Sequence, residues 1–198
     1  MSISMIGIDY GKASVDVRAQ FSFTKKNAVQ AMERLKKMPG VYGCIILSTC
    51  NRMELWASLQ EEWEGSLYGF LCEEKDKRPE DFQKYFVQRT EREAVEHLFY
   101  LTSGLKSQIL AENQIITQVK DALALSREAY CTDNVLEVLF RTAVTCLLYT
   151  SPGSIGRGGF SAALGIYRKL QEIFKTGAAG DCGIFFKGTD CDGSTGGV

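Results

Sequence analysis

Cys50 lies two residues before Arg52 in the stretch Ser48-Thr49-Cys50-Asn51-Arg52. A cysteine attacks a carbonyl carbon as its thiolate, and a nearby guanidinium favours that form. The run Cys44-Ile45-Ile46-Leu47 before it is apolar and rich in β-branched residues, as a buried strand is. After it, Met53-Glu54-Leu55-Trp56-Ala57-Ser58 alternates apolar and polar, the pattern of a second, half-exposed strand. Cys50 is therefore expected where one strand hands over to another, on a loop with rigid flanks from which a thiol can reach solvent. A small buried hydrophobe is the other reading, and the usual fate of a free cysteine. The residues alone leave both open.

Two further residues could carry chemistry. His97 is the single imidazole of the chain. On a helical projection it falls beside Leu101, at the border of an apolar stripe, where an imidazole can reach a cleft from a fixed backbone. A half-exposed helix histidine with no task fits that position too. Glu112 projects near Ile116 and Leu123 at a helix start, so its carboxylate must cap the helix, accept hydrogen bonds or serve a ligand. Ser103, Ser107 and Gln114 share the same connection and could line a polar pocket. The basic pairs Lys25-Lys26, Lys36-Lys37 and Lys77-Arg78 suit phosphate contacts. Acidic residues interspersed nearby favour plain solvated faces instead.

The totals bound the possibilities. A chain of 198 residues holds one good-sized domain, or one with a partial second. Hydrophobic residues at 45% and charged residues at 24% are ordinary for a soluble globular protein. The formal net charge of -1 gives no general attraction to nucleic acid, so such binding would need a local patch. No signal-peptide pattern opens the chain and no apolar run reaches membrane-spanning length. The seven cysteines include no C-x-x-C pair, which argues against a zinc site or disulfide framework and for a reducing, cytoplasmic setting.

The elements that must position these residues follow in order. Ser2 to Asp9 reads as an opening strand, and Asp9-Tyr10-Gly11-Lys12 as a turn. A short segment from Ser14 to Phe21 comes next. Thr24 caps a helix with apolar positions Ala28, Ala31, Met32, Leu35 and Met38, stopped by Pro39-Gly40. The two strands around Cys50 come next, then a helix over Glu62 to Lys75, a charged connector over Glu73 to Glu80, and a last strand over Lys84 to Arg89. This β-α-β-β-α-β order predicts an α+β fold, a ferredoxin-like sheet domain with its helices on one face, followed by a helical subdomain. In the helical part, Thr90 and Glu93 form a capping box before Ala94, Leu98 and Leu101. Helices over about Glu112 to Tyr130 and from Asn134 onward follow. Ser151-Pro152-Gly153-Ser154 marks a boundary, Phe160 to Lys175 a final amphipathic helix, and the glycine-rich tail is expected to be disordered.

Ser48-Thr49-Cys50-Asn51-Arg52-Met53-Glu54 resembles the S-T-C-N-R-x-E motif of the glutamyl-tRNA reductase family. His97-Leu98-Phe99, Ser103-Gly104-Leu105-Lys106-Ser107 and Glu112-Asn113-Gln114-Ile115 are similar to that family's H-L-F, S-G-L-D-S and G-E-x-Q-I run. Gln118 to Ala122, Ile155-Gly156-Arg157-Gly158 and the opening Gly7-Ile8-Asp9 extend the likeness over about residues 3 to 175. The resemblance implies that the Cys50 thiolate attacks the ester linking glutamate to the tRNA 3′ end, leaving a thioester. NADPH then reduces that thioester to glutamate-1-semialdehyde for tetrapyrrole (porphyrin and haem) synthesis. It also implies catalytic roles for Cys50 and His97, and places Thr49, Arg52, Ser107, Glu112 and Gln114 around the glutamyl group. Arg52 would meet a substrate carboxylate, Glu112 the ammonium, and His97 would orient the ester or shuttle protons.

The sequence departs from the family in places. Asp9-Tyr10-Gly11 replaces a histidine and a basic residue, Lys106 an aspartate, and Ala111 and Asn113 flank Glu112. The family continues into a Rossmann domain and a helical dimerisation domain. The expected organisation is a catalytic domain at 1–150 (ferredoxin-like 1–89, helical 90–150), a connecting loop and helix at 151–181, and a truncated nucleotide-domain remnant at 182–198. A separate nucleotide-binding chain, or the next enzyme of the pathway, is then an expected partner alongside glutamyl-tRNA. A remnant that binds glutamyl-tRNA or a pathway partner without catalysis is the alternative from another class. A thiol hydrolase of other esters is a third.

Overall fold

Alternating side chains give the segments Ser2–Asp9 and Val41–Ser48 apolar residues on both faces. In the computed structural model, which describes residues 1–102 and 114–148 with side chains as far as Thr145, both faces are covered. Ser107, Glu112, the 151–181 connector and the 182–198 tail lie outside the described residues. Strands β1 (Ser2–Asp9), β2 (Val41–Ser48), β3 (Arg52–Leu59) and β4 (Val87–Thr90) form one sheet in the order β2-β3-β1-β4, and every pairing is antiparallel. Together with the helices this is the expected α+β fold, and the strand order is that of the ferredoxin-like plan.

On the inner face, Ile6, Ile8, Cys44, Ile46 and Leu55 pack under α2 (Lys25–Lys36) and α3 (Leu67–Glu74). The helix α2 starts where predicted: the Thr24 hydroxyl accepts the Asn27 N–H at 3.2 Å, and Ala28, Ala31, Met32 and Leu35 are its buried stripe. On the outer face, Ile3, Met5, Ile45, Leu47 and Trp56 pack against α5 (Glu91–Thr102), α6 (Gln114–Glu128) and α7 (Asn134–Leu148). The sheet is thus the middle of three layers.

Helices on both faces correct the reading of β3. The alternating segment after Cys50 is not half-exposed: all eight residues of β3 are buried, because the helical part covers its polar-patterned face as well. The two helices of the ferredoxin-like part, α2 and α3, share one face as expected, and the helical part takes the other. Boundaries moved for local reasons. The segment after Ser14 forms a short helix α1 (Val15–Gln20). The helix expected from Glu62 begins only at Leu67, where the Ser66 hydroxyl accepts the Gly69 N–H. Pro79 starts the one-turn helix α4 (Pro79–Phe82), a 3₁₀ turn occupies Gln83–Tyr85, and the last strand is confined to Val87–Thr90.

One edge of the sheet is β2, and α6 packs against it. Ser126 Oγ donates to the Cys44 carbonyl at 2.7 Å, and the Cys44 N–H donates to the Cys131 carbonyl at 2.8 Å. Edge groups that would otherwise invite another strand are satisfied within the chain. This contact also fixes α6 beside the end of β2, where Cys50 follows.

Candidate active site

The β2–β3 connection is a tight turn built by Thr49. Its hydroxyl accepts the backbone N–H groups of Asn51 and Arg52, each at 3.2 Å, and its own N–H donates to the Arg52 carbonyl at 2.8 Å. This is a side-chain-closed turn of the kind serine and threonine form. Two anchors from the chain's first segment hold it further. The Tyr10 N–H donates to the Asn51 carbonyl at 3.0 Å, and an Arg18 guanidinium nitrogen donates to the Cys50 carbonyl at 3.4 Å. Cys50 sits at the tip of this braced turn and is exposed, whereas Cys44, Cys72 and Cys131 are buried. Of the two burial states the sequence allowed for Cys50, the structure shows the open one.

A recess of about 40 Å³ lies against the turn, lined by Tyr10, Thr49, Cys50, Arg52, Gln114 and Gln118 among others. The structure therefore brings Thr49, Cys50, Arg52 and Gln114 together from three elements: the turn, β3 and the first turn of α6. Ser107 and Glu112 lie outside the described residues.

His97 is not at a border. It is 3% exposed, on the face of α5 that covers β3, with its ring stacked on Trp56 at a centroid distance of 6.0 Å. The helical projection misplaced it because α5 lies against a sheet whose outer face carries its own polar side chains. Glu54 is what receives it. Glu54 Oε1 lies 2.9 Å from His97 Nε2 and accepts from Arg52 Nη1 at 3.2 Å, while Oε2 accepts from Trp56 Nε1 at 3.2 Å. A carboxylate only accepts, so Nε2 carries the imidazole proton and Nδ1 is the other ring nitrogen.

Burial alone would push the Glu54 carboxyl up. The hydrogen bond and charge of His97, together with the charge and hydrogen bond of Arg52, outweigh it and hold the carboxyl below the usual carboxylate range. Arg52, Glu54 and His97 are thus a buried, mutually satisfied cluster, and Arg52 reaches from it into the lining of the Cys50 recess. Room for it comes from Gly7, which faces Glu54 across the β1–β3 pair. A Cβ on Gly7 would stand 2.8 Å from Glu54 Cγ and 2.9 Å from the Met53 carbonyl oxygen.

Glu54, Gly7 and Arg18 are the residues that a reading by residue type passes over. A signal existed for the first: Arg52-x-Glu54 at a strand's period of two puts opposite charges on one face. For Gly7 and Arg18 residue type names no task, because their contacts with Glu54 and with the Cys50 carbonyl are long-range.

Comparison with known proteins then places this arrangement. The family described as "Glutamyl-tRNAGlu reductase, N-terminal domain" matches residues 6–147. The chain is 42% identical over 145 residues to a glutamyl-tRNA reductase of Acetivibrio thermocellus, covering 73% of this chain and 44% of that protein. It is 42% identical over 144 residues to one from Alkaliphilus oremlandii, covering 73% and 43% respectively. Among solved structures it is similar to the glutamyl-tRNA reductase of Methanopyrus kandleri, with a TM-score of 0.56 and 25% identity over 74% of this chain and 33% of that one. The chain spans less than half the length of the two curated relatives.

Proposed function

The chain belongs to the glutamyl-tRNA reductase family, matching its N-terminal domain, and from that premise we propose that it takes the glutamyl group from glutamyl-tRNA onto Cys50. The thiolate sulfur attacks the ester carbonyl, a C–S bond forms and the C–O bond to the terminal ribose breaks. The ribose oxygen leaves with the proton the thiol gave up. The product is a glutamyl thioester, the intermediate that the family's role in tetrapyrrole synthesis implies. The observation that carries this reading is the exposed Cys50 at the tip of a turn braced on both sides, beside a recess that also holds Arg52 and Gln114.

Roles follow from position. Thr49 fixes the turn, so the sulfur is presented without a loop rearrangement. Arg52 pairs with the substrate carboxylate from a guanidinium that Glu54 holds in place, and Gln114 contributes polar contacts at the recess wall. His97 acts through its fixed orientation near Arg52 and Glu54 rather than as a mobile shuttle. Ser107 and Glu112 are proposed to complete the glutamyl pocket, as the family motif suggests.

NADPH is the hydride donor that the family resemblance implies. The described residues do not fit it: the sheet is wholly antiparallel, and among them no parallel strand leads through a glycine-rich loop into a helix. The proposal for this chain therefore ends at the thioester, and reduction is left to a nucleotide-binding domain or separate chain. No helix among the described residues is long and apolar enough to cross a membrane, and we place the protein in the cytoplasm with its tRNA substrate.

The test is direct. The protein is incubated with radiolabelled glutamyl-tRNA, quenched in acid and read for label bound to protein. Label that is released by hydroxylamine and lost in Cys50→Ser supports the thioester. Stable tRNA binding with no labelled protein would favour a non-catalytic binding domain and overturn the acyl-transfer reading.

A further inference from the structure

The crossing that closes the β2 edge also brings two cysteines together. Cys44 lies in the first half of β2, and Cys131 in the connection between α6 and α7. The bond from the Cys44 N–H to the Cys131 carbonyl, at 2.8 Å, sets their backbones side by side. Backbones joined in that way hold their Cα atoms about 5–6 Å apart, within the range a disulfide spans. Both side chains belong to the inner core, and the two thiols hydrogen-bond to each other. Each thiol also has a backbone carbonyl in reach, that of Met32 at 3.4 Å from Cys44 Sγ and that of Ala129 at 3.3 Å from Cys131 Sγ. Cys50 lies beyond the other end of β2, and Cys72 faces Tyr68 on α3, so neither competes for the pair.

We propose that Cys44 and Cys131 form an oxidation site, converted by a peroxide to a disulfide that fastens the α6–α7 connection to β2. Cys131 is the attacking sulfur. The hydrogen bond from Cys44 holds its thiol below the usual range, while that same bond and burial push the Cys44 thiol up. The Cys131 thiolate attacks one oxygen of hydrogen peroxide, the O–O bond breaks and hydroxide leaves, so that the sulfur becomes a sulfenic acid. Cys44 then attacks that sulfur, the S–S bond forms, the S–O bond breaks and a second hydroxide leaves. The protons shed by the two thiols convert both hydroxides to water. Two thiols and one peroxide thus give one disulfide and two waters. Access suits so small an oxidant, because Cys131 follows Tyr130, which is 89% exposed. In a reducing cytoplasm such a bond is transient, and a dithiol reverses it by exchange. The consequence is mechanical. The disulfide closes a loop of roughly 90 residues, which removes much of the freedom of the unfolded chain. It adds a covalent tie where Ser126 already bonds the Cys44 carbonyl, on the helix whose first turn walls the Cys50 recess. The site stands whatever Cys50 attacks.

The full-length chain is treated with hydrogen peroxide, its remaining thiols are blocked with iodoacetamide, and it is digested with trypsin without reduction. Cleavage after Lys37 and Arg52 leaves Cys44 and Cys50 on one peptide, so Cys50→Ser is treated in parallel. In both proteins mass spectrometry is expected to find the Cys44 peptide joined to the Cys131 peptide, and dithiothreitol to separate them. The urea midpoint, followed by tryptophan fluorescence, should rise by roughly 1–2 M on oxidation and return on reduction. Cys131→Ser should show no such rise. A linked peptide that is missing from Cys50→Ser, or that forms only when urea is present during oxidation, would overturn the site. A linked peptide with an unchanged midpoint would overturn the fastening. The mapping uses proteins that keep both cysteines, so it decides the matter even where Cys131→Ser folds poorly.

Discussion

Glu54 is the residue on which the site's geometry turns, because one buried carboxylate orients two of the proposed site side chains, Arg52 and His97, at once. Removing its charge leaves the Arg52 guanidinium buried opposite a neutral group, a change that costs on the order of 3 kcal/mol when one partner of a buried pair is lost. Glu54→Gln is therefore expected to lower stability by about that amount in urea unfolding, and to slow thioester formation more than the loss of folded protein explains. Glu54→Asp keeps the charge but shortens the reach, and should restore part of the stability and little of the rate. The pH dependence has a fixed sign. The folded carboxyl titrates below its unfolded value, so the unfolded chain binds more protons between the two. Its contribution is fully present above the unfolded glutamate range near pH 4.3 and is lost as pH falls through the lower folded value. Melting temperature measured from pH 6 down to pH 3 should fall less steeply in Glu54→Gln than in the parent. Gly7 acts on the same cluster from across the sheet. Since a Cβ there would meet Glu54 Cγ at 2.8 Å, Gly7→Ala should cost roughly 1–3 kcal/mol by overpacking and lower the acyl-transfer rate without touching the Cys50 recess.

Among the elements, α7 is the one whose start the sequence located and whose fastening it hid. Asn134 does open the helix, but Asp133 caps it, accepting the Leu136 N–H at 3.0 Å through Oδ1 while Oδ2 accepts from the Ser58 hydroxyl at 2.5 Å. One carboxylate thus ends a helix and ties it to β3. Gly43 makes room for it, since a Cβ there would lie 2.8 Å from Asp133 Oδ1. Asp133→Ala should cost about 1–2 kcal/mol, more than the loss of a cap alone because Ser58 loses a buried partner. Ser58→Ala, which removes only the donor and leaves the Asp133 cap on Leu136 in place, should be milder, and chemical denaturation of the two variants would reverse the assignment if their order were the other way. The elements that local pattern specifies were legible: β1, β2, α2 with its Thr24 cap, and the placement of Cys50 on the turn between β2 and β3. What pattern could not supply was anything set by contact between distant segments. The burial of β3 on both faces, the burial of His97 and the capping of α7 all depend on the helical layer closing over the sheet's polar-patterned side.

At the scale of the whole molecule, that closure makes the sheet common property of two cores. One holds Ile6, Ile46, Leu55 and α2; the other holds Met5, Leu47, Trp56 and α5 to α7, and β1, β2 and β3 contribute to both by alternation. A sequence divided by eye into a ferredoxin-like part and a helical part suggests two units that unfold apart. The packing argues otherwise, because stripping the helices would expose Ile3, Met5, Ile45, Leu47 and Trp56 together with the buried Arg52–Glu54–His97 cluster, leaving a sheet with one bare apolar face and stranded charges. Phe140 tests this, since its ring meets Trp56 edge-on at a centroid distance of 5.3 Å at the junction of helix and sheet. Phe140→Ala should destabilise by about 3–5 kcal/mol. In a Trp63→Phe background, the fluorescence of Trp56 reports the outer core, and pulsed alkylation of Cys72 reports the inner one. The two urea midpoints are expected to coincide in the parent and to fall together in the variant. If Trp56 became exposed at a lower urea concentration than Cys72, the helical layer would be a separable unit. Cys50 would then be held by the sheet alone, and α6 could not be counted as a fixed wall of its recess.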